Sequence, residues 1–143
     1  MTKQNDEEKV YSKDVVLVMA ASFFFMFSNM YCNPLINGYA QELGASSAFA
    51  GVIVGMMSIV AMFLRPIAGN LTDRFSKYQL SFIGGALSFL GVLGYVITPN
   101  SSLLLLFRLI NGAGYVLCTV CMTTWLSYLV PFSHVGEAMS FYG

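Results

Sequence analysis

The chain of 143 residues is 57% hydrophobic and only 10% charged, far below the roughly 25% charged of a water-soluble domain, which excludes an ordinary soluble fold. Seven basic residues balance seven acidic ones, and because they are spread along the chain they exclude a nucleic-acid-binding surface. Cys32, Cys118 and Cys121 all fall in apolar stretches, where thiols act as small hydrophobes and not as a disulfide framework.

Residues 1–14 read as a short solvated tail, with Lys3, Lys9 and Lys13 mixed among Asp6, Glu7, Glu8 and Asp14. The apolar run that follows is longer than a secretory h-region and lacks a small-residue cleavage site, so it is a retained span. Four apolar runs are expected to cross the membrane, at about 15–37, 49–68, 78–98 and 103–130. Each reaches the ~20 helical residues that a hydrocarbon layer of roughly 30 Å requires. Their continuous apolar character argues for helices and against the alternating pattern of a membrane β-barrel. Short polar connections at 42–47, 73–77 and 98–102 separate them. After Pro131 a loop with Ser133, His134, Gly136 and Glu137 leads into the start of a fifth helix at about 137–143. The sequence stops within that element, so a fragment of a longer protein is expected, in an all-α polytopic fold.

Lys3, Lys9, Lys13, Arg74 and Lys77 lie on the side shared by the tail and the second connection, while the first and third connections carry no Lys or Arg. Basic residues stay on the cytoplasmic face, which places the N-terminus inside and the protein in the plasma membrane as a multi-pass chain. Trp125 and Tyr128 at the inner end of span four, and Tyr39 at the outer end of span one, suit interfacial anchors.

The most distinctive segment is RPIAGNLTDRFSKYQL, residues 65–80. Gly69 permits close backbone approach at the end of a helix, and Asp73 lies one turn further on with Arg74 and Lys77 beside it. Positive charge alone would serve topology and would account for Arg74 and Lys77, but not for Asp73 together with Gly69 and Arg65-Pro66. The segment resembles the loop between the second and third helices of the major facilitator superfamily (MFS), with the pattern Gly-x-Leu-Ala-Asp-Arg-x-Gly-Arg-Arg. Gly69, Leu71, Asp73 and Arg74 stand at matching positions, Lys77 keeps the charge of an arginine, and Thr72 and Ser76 depart from the pattern. The resemblance implies that this loop, with Arg65, forms a charge cluster that gates a conformational change.

Span four carries Arg108, Gly112 and Gly114 in an Arg-x-x-x-Gly-x-Gly arrangement. Arg108 lies six residues past Ser102, or about 9 Å into the helix, a depth at which a guanidinium faces the protein interior or snorkels to the headgroups. The arrangement is similar to an MFS motif associated with proton-coupled export, although no carboxylate partner lies in the same stretch. In span one, Asn29, Asn33 and Asn37 share one helical face beside Pro34, either lining a substrate cavity or holding neighbouring helices together. Gly51 with Gly55, and Gly84 with Ser88 and Gly91, read as helix-packing ridges. Cys118 and Cys121 have CxxC spacing but lie mid-helix, away from the N-terminus that would activate a thiol, and His134 has no companion for a metal site.

The resemblance extends over nearly the whole chain, including the closing GEAMSFYG, which is similar to the entry of the fifth helix in drug and sugar exporters. It implies the first portion of a fold of twelve helices in two halves, each half built of inverted three-helix repeats around a central substrate site. The expected function is secondary transport of a small solute by alternating access, coupled to protons and directed outward. The expected partners are the solute, the proton, the bilayer and the remaining helices; no cofactor, metal, nucleic acid or enzymatic activity is implied. A complete four-helix carrier would need an essential glutamate in its first helix, which this chain lacks. A membrane enzyme would need a nucleophile with its base, or paired carboxylates. A non-transport membrane scaffold is the remaining alternative.

Overall fold

The computed structural model describes residues 12–142, so Lys3, Lys9 and the other charges before Ser12 lie outside the described residues, as does Gly143. Helix α1 runs Lys13–Glu42, α2 Ser47–Arg74, α3 Lys77–Ile97 and α4 Ser101–Leu129; a 3-10 turn, Phe132–His134, leads into α5, Val135–Tyr142. The first four are long and apolar enough to cross a membrane. Ser12 and Ser46 cap α1 and α2 by accepting from the Val15 and Phe49 N–H groups, which satisfies donors that a helix start leaves without partners. Gly44, with φ +87°, supplies the left-handed residue that turns the chain out of α1.

All three connections are shorter than the polar stretches suggest. Helix α2 continues through Asp73 and Arg74, and only Phe75 and Ser76 separate it from α3. The Phe75 N–H reaches the Leu71 carbonyl, and Arg74 places a cation where the helix dipole is negative. Pro34 and Pro66 both lie inside continuous helices.

An apolar cluster closes each end of the bundle. At one end, Val15 and Val18 of α1 meet Leu126 and Val130 beside α4, and Ala138 of α5 joins them. At the other, Ile36 and Ala40 of α1, Ala50 and Ile53 of α2, Tyr95 of α3 and Leu104 of α4 come together. The four long helices are therefore antiparallel in sequence order. Lys13, Arg74 and Lys77 gather at the α5 end, and among the described residues the connections at the opposite end, 43–46 and 98–100, contain no Lys or Arg.

Helix α4 is the most buried and touches each of the others. Its closest neighbour is α3, because glycines let the two backbones meet. A Cβ on Gly84 would stand 2.7 Å from the Cys118 nitrogen, one on Gly91 2.8 Å from the Asn111 nitrogen, and one on Gly114 2.4 Å from the Ser88 nitrogen. Asn111 Nδ2 donates to the Ser88 carbonyl across this seam at 3.1 Å. The ridge of Gly84, Ser88 and Gly91 is thus a packing surface. Among the described residues nothing packs on Gly51 and Gly55: both are exposed and a Cβ on either would meet nothing within 4 Å. A small-residue pattern permits close approach without supplying the helix that approaches.

The seam predicts opposite signs for one chemical change. Gly91→Ala forces the Asn111 backbone away and is expected to cost about 1–3 kcal/mol, whereas Gly55→Ala relieves helical glycine entropy and stabilises by about 0.5–1 kcal/mol. Thermal unfolding of the two variants in detergent micelles separates these outcomes.

Candidate functional site

Polar groups inside the bundle fall at two levels. The first, near the end opposite α5, centres on Arg108. Its side chain is 1% exposed, so it has turned into the bundle and not toward the headgroups. Nη2 donates to the Asn33 side-chain oxygen of α1, while Nε and Nη1 are buried without a partner among the described residues. The Tyr95 hydroxyl of α3 lies beside the same guanidinium, also outside hydrogen-bond geometry. The cation is held by one neutral amide, and among the described residues no carboxylate pairs with it.

The asparagine stripe on α1 divides into three separate roles. Asn29 is buried and returns its Nδ2–H to the Phe25 carbonyl of its own helix. Asn33 takes Arg108, and Asn37 accepts from Gln41 Nε2 at 2.7 Å near the helix end. Only Asn33 joins another helix to a functional candidate. Of the two glycines following Arg108, Gly114 serves the α3 seam, and Gly112 meets Val60 and Met57 of α2 at ordinary contact distance, 3.5 and 3.7 Å from a Cβ.

The second level is a cleft of about 330 Å³ between α1, α2 and α4. Met26 of α1, Arg65 of α2 and Tyr115, Thr119, Thr123 and Thr124 of α4 line it. Arg65 is exposed and lies nine residues before Arg74, about 14 Å along the helix, so it stands away from Asp73 and the charged end of the bundle. The Tyr115 ring stacks on Phe25 of α1, with centroids 5.7 Å apart and planes at 14°. Thr123 Oγ1 donates to the Thr119 carbonyl at 2.7 Å and Thr124 Oγ1 to the Val120 carbonyl at 2.8 Å. A threonine that gives its one proton to the helix presents lone pairs only. Thr123 and Thr124 therefore have acceptors to offer a solute, and Arg65 adds an accessible cation. Hydropathy missed this level because backbone-bonded threonines look neutral in a membrane helix; their spacing along α4 was the available signal.

The segment around Asp73 is arranged differently from a closed charge cluster. Asp73 and Arg74 are exposed in the last turn of α2, and among the described residues no ion pair joins Asp73 to either cation; the pair formed is His134 with Glu137 at 3.2 Å. Lys77 instead sets Nζ 3.6 Å from the centre of the Tyr128 ring, tying the start of α3 to the end of α4. A Cβ on Gly69 would meet nothing within 4 Å, so among the described residues no other element packs against that side of it. Buried Thr72 donates to the Gly69 carbonyl at 2.7 Å, and Leu71 is half-buried with its carbonyl bound by Phe75. No group of three or more metal-ligating side chains occurs among the described residues, and Cys118 and Cys121 are buried free thiols.

Asn33→Ala removes the one bond to a buried guanidinium and is expected to cost about 1.7 kcal/mol, the upper end for hydrogen bonds between membrane helices. Asn37→Ala is expected to stay within about 0.5 kcal/mol. Unfolding in micelles measures both, and equal stability of the two variants would show that Asn33 does not carry Arg108.

The chain is similar to the putative metabolite transport protein YwtG of Bacillus subtilis, 32% identical over 100 residues that cover 70% of this chain and 22% of the relative. It is 30% identical over 118 residues to the uncharacterized MFS-type transporter YhhS of Escherichia coli, covering 76% and 29%. With the quinolone resistance protein NorA of Staphylococcus aureus it shares 27% over 105 residues, covering 71% and 27%. The chain spans less than a third of the length of these relatives. No solved structure matches it. The family model of the Major Facilitator Superfamily matches residues 18–143, and the chain belongs to that superfamily.

Proposed function

We propose that this chain forms part of a secondary transporter that moves a small solute across the plasma membrane by alternating access. The observation that carries this reading is the cleft between α1, α2 and α4, with an accessible cation and hydroxyls at bilayer depth. A scaffold in lipid gains nothing from exposing such groups, whereas a solute pathway requires them. Asn33 contributes to this pathway through Arg108, while Asn29 and Asn37 are spent on their own helix. The names of two relatives, a putative metabolite transport protein and a quinolone resistance protein, support solute movement and suggest the outward direction.

Gating is assigned to the inner end of α2. Asp73 is exposed and uncommitted by any ion pair among the described residues, so it is available to a cation or helix N-terminus in another part of the transporter. Gly69 is open to a backbone arriving there, Leu71 holds the helix end, and Arg74 and Lys77 supply the facing charge. Proton coupling is assigned to the Arg108, Gly112 and Gly114 segment. Helices α1 to α4 contain no carboxylate away from their ends, so the proton-carrying group belongs to another part of the protein. Its deprotonated form would be stabilised by a buried guanidinium lacking a countercharge.

Lys13, Arg74 and Lys77 at one end of the bundle support a cytoplasmic N-terminus. With the native cysteines replaced, a membrane-impermeant maleimide applied to intact cells is expected to label Asn100→Cys and to spare Ser76→Cys; the reverse pattern would invert the topology. In the full-length transporter, Asp73→Asn is expected to lower solute flux at least tenfold with membrane insertion unchanged. Normal flux would reduce Asp73, Arg74 and Lys77 to a topology signal.

A further inference from the structure

We infer that the cleft between α1, α2 and α4 selects a small hydroxylated organic anion, with Arg65 as its specificity-determining residue. This rests on the reading of the chain as part of a transporter and names the class of solute it takes.

The argument begins with charge. Among the described residues Arg65 is the one charged side chain that lines the cleft, and no Asp or Glu lines it. It is exposed, which distinguishes it from Arg108, sealed at 1% exposure against Asn33. Arg65 lies about 14 Å from its helix end and three residues inside the apolar run at 49–68, and an uncompensated cation in an open cleft attracts an anion. Its planar fork matches a carboxylate bidentately.

The opposite wall supplies the second requirement. Thr123 and Thr124 have given their protons to carbonyls of α4, so toward the cleft they present acceptors, which take hydroxyl or amine donors from a solute. Acceptors facing a simple inorganic anion would repel it. A molecule with a carboxylate at one end and hydroxyls at the other satisfies both walls. The Tyr115 ring, fixed by stacking on Phe25, provides a flat side for its carbon skeleton, and a cleft of about 330 Å³ accepts a solute of six or so carbons.

Gluconate and glucose share a skeleton and differ in charge, so they test the inference directly. Equilibrium binding of each to the purified full-length transporter, and counterflow of each in proteoliposomes, would be measured for the native protein, Arg65→Gln and Arg65→Lys. The native protein is expected to favour gluconate by about 10–100-fold, the range of a hydrogen-bonded charge pair. Arg65→Gln should erase the preference and Arg65→Lys should keep part of it, with melting temperatures of all three unchanged. Binding of neither sugar, equal binding of both, or a preference that survives Arg65→Gln would overturn the inference. Gluconate binding without counterflow would sink the transport reading while leaving the anion site in place. Counterflow without charge preference would do the converse.

Discussion

The backbone contact between α3 and α4 organises everything else in this segment. Inside a bilayer, lipid is as apolar as leucine, so helices associate by close packing and shared polar bonds and not by escape from water. Gly84, Gly91 and Gly114 allow that packing at the backbone itself, and the Asn111 amide bond to the Ser88 carbonyl locks the register. Once α4 is fixed in rotation, helical periodicity assigns its remaining faces. Phe107, Asn111, Gly114 and Cys118 meet α3. Arg108, Tyr115 and Met122 turn toward α1, where they find Asn33, Phe25 and Ser22. Gly112 takes α2, and the threonines from 119 to 124 face the cleft that α1 and α2 leave open.

Two arginines at membrane depth illustrate two solutions to one problem. Removing a guanidinium from water is costly unless each donor finds a partner. Arg108 is enclosed with one amide and part of its fork unused, which leaves a positive field directed into the bundle. Arg65 keeps its charge in an open cleft, where solvent or solute compensates it. On the proposed reading, the first arrangement would shift the protonation of a group that moves past it, and the second would hold a charged molecule that comes and goes. Arg74 and Lys77, at the bundle end, face neither constraint.

The four spans and the charged end were legible in the sequence because hydropathy and Lys/Arg placement act locally and one residue at a time. The depth of Arg108 followed from counting residues along a helix, whereas its inward turn, open between interior and headgroups in the sequence, came with Asn33 of α1. What the sequence concealed depends on a second element. Gly51-x-x-x-Gly55 and the Gly84 ridge look equivalent as patterns, and only the presence of α4 against one of them distinguishes them. Asn29, Asn33 and Asn37 share a face, yet the level of Arg108 on α4 selects Asn33 alone. Asp73 and Arg74 read as loop because they are charged, but nothing there breaks a helix, and α2 carries them to its last turn. Arg65 read as part of the neighbouring motif, since a linear segment gives no indication that nine residues of helix move a side chain to another level.

The unequal strength of the helix contacts bears on how this segment could move. Helices α3 and α4 are joined backbone to backbone, and Lys77 over Tyr128 adds a tie at the α5 end of the bundle. Sliding them would bring side-chain-bearing residues to the positions of Gly84, Gly91 and Gly114, where the facing helix leaves no room even for a Cβ. Helix α1 meets α4 differently, through a guanidinium bond, a stacked ring pair and apolar clusters at each end, all of which tolerate small rotations of side chains. Helices α2 and α3 scarcely touch beyond their short connection. A movement that opens or closes the cleft therefore meets least resistance between α1 or α2 and a rigid α3–α4 pair. The Asp73 turn, at the end of α2 and next to that connection, sits where such a movement would be felt first.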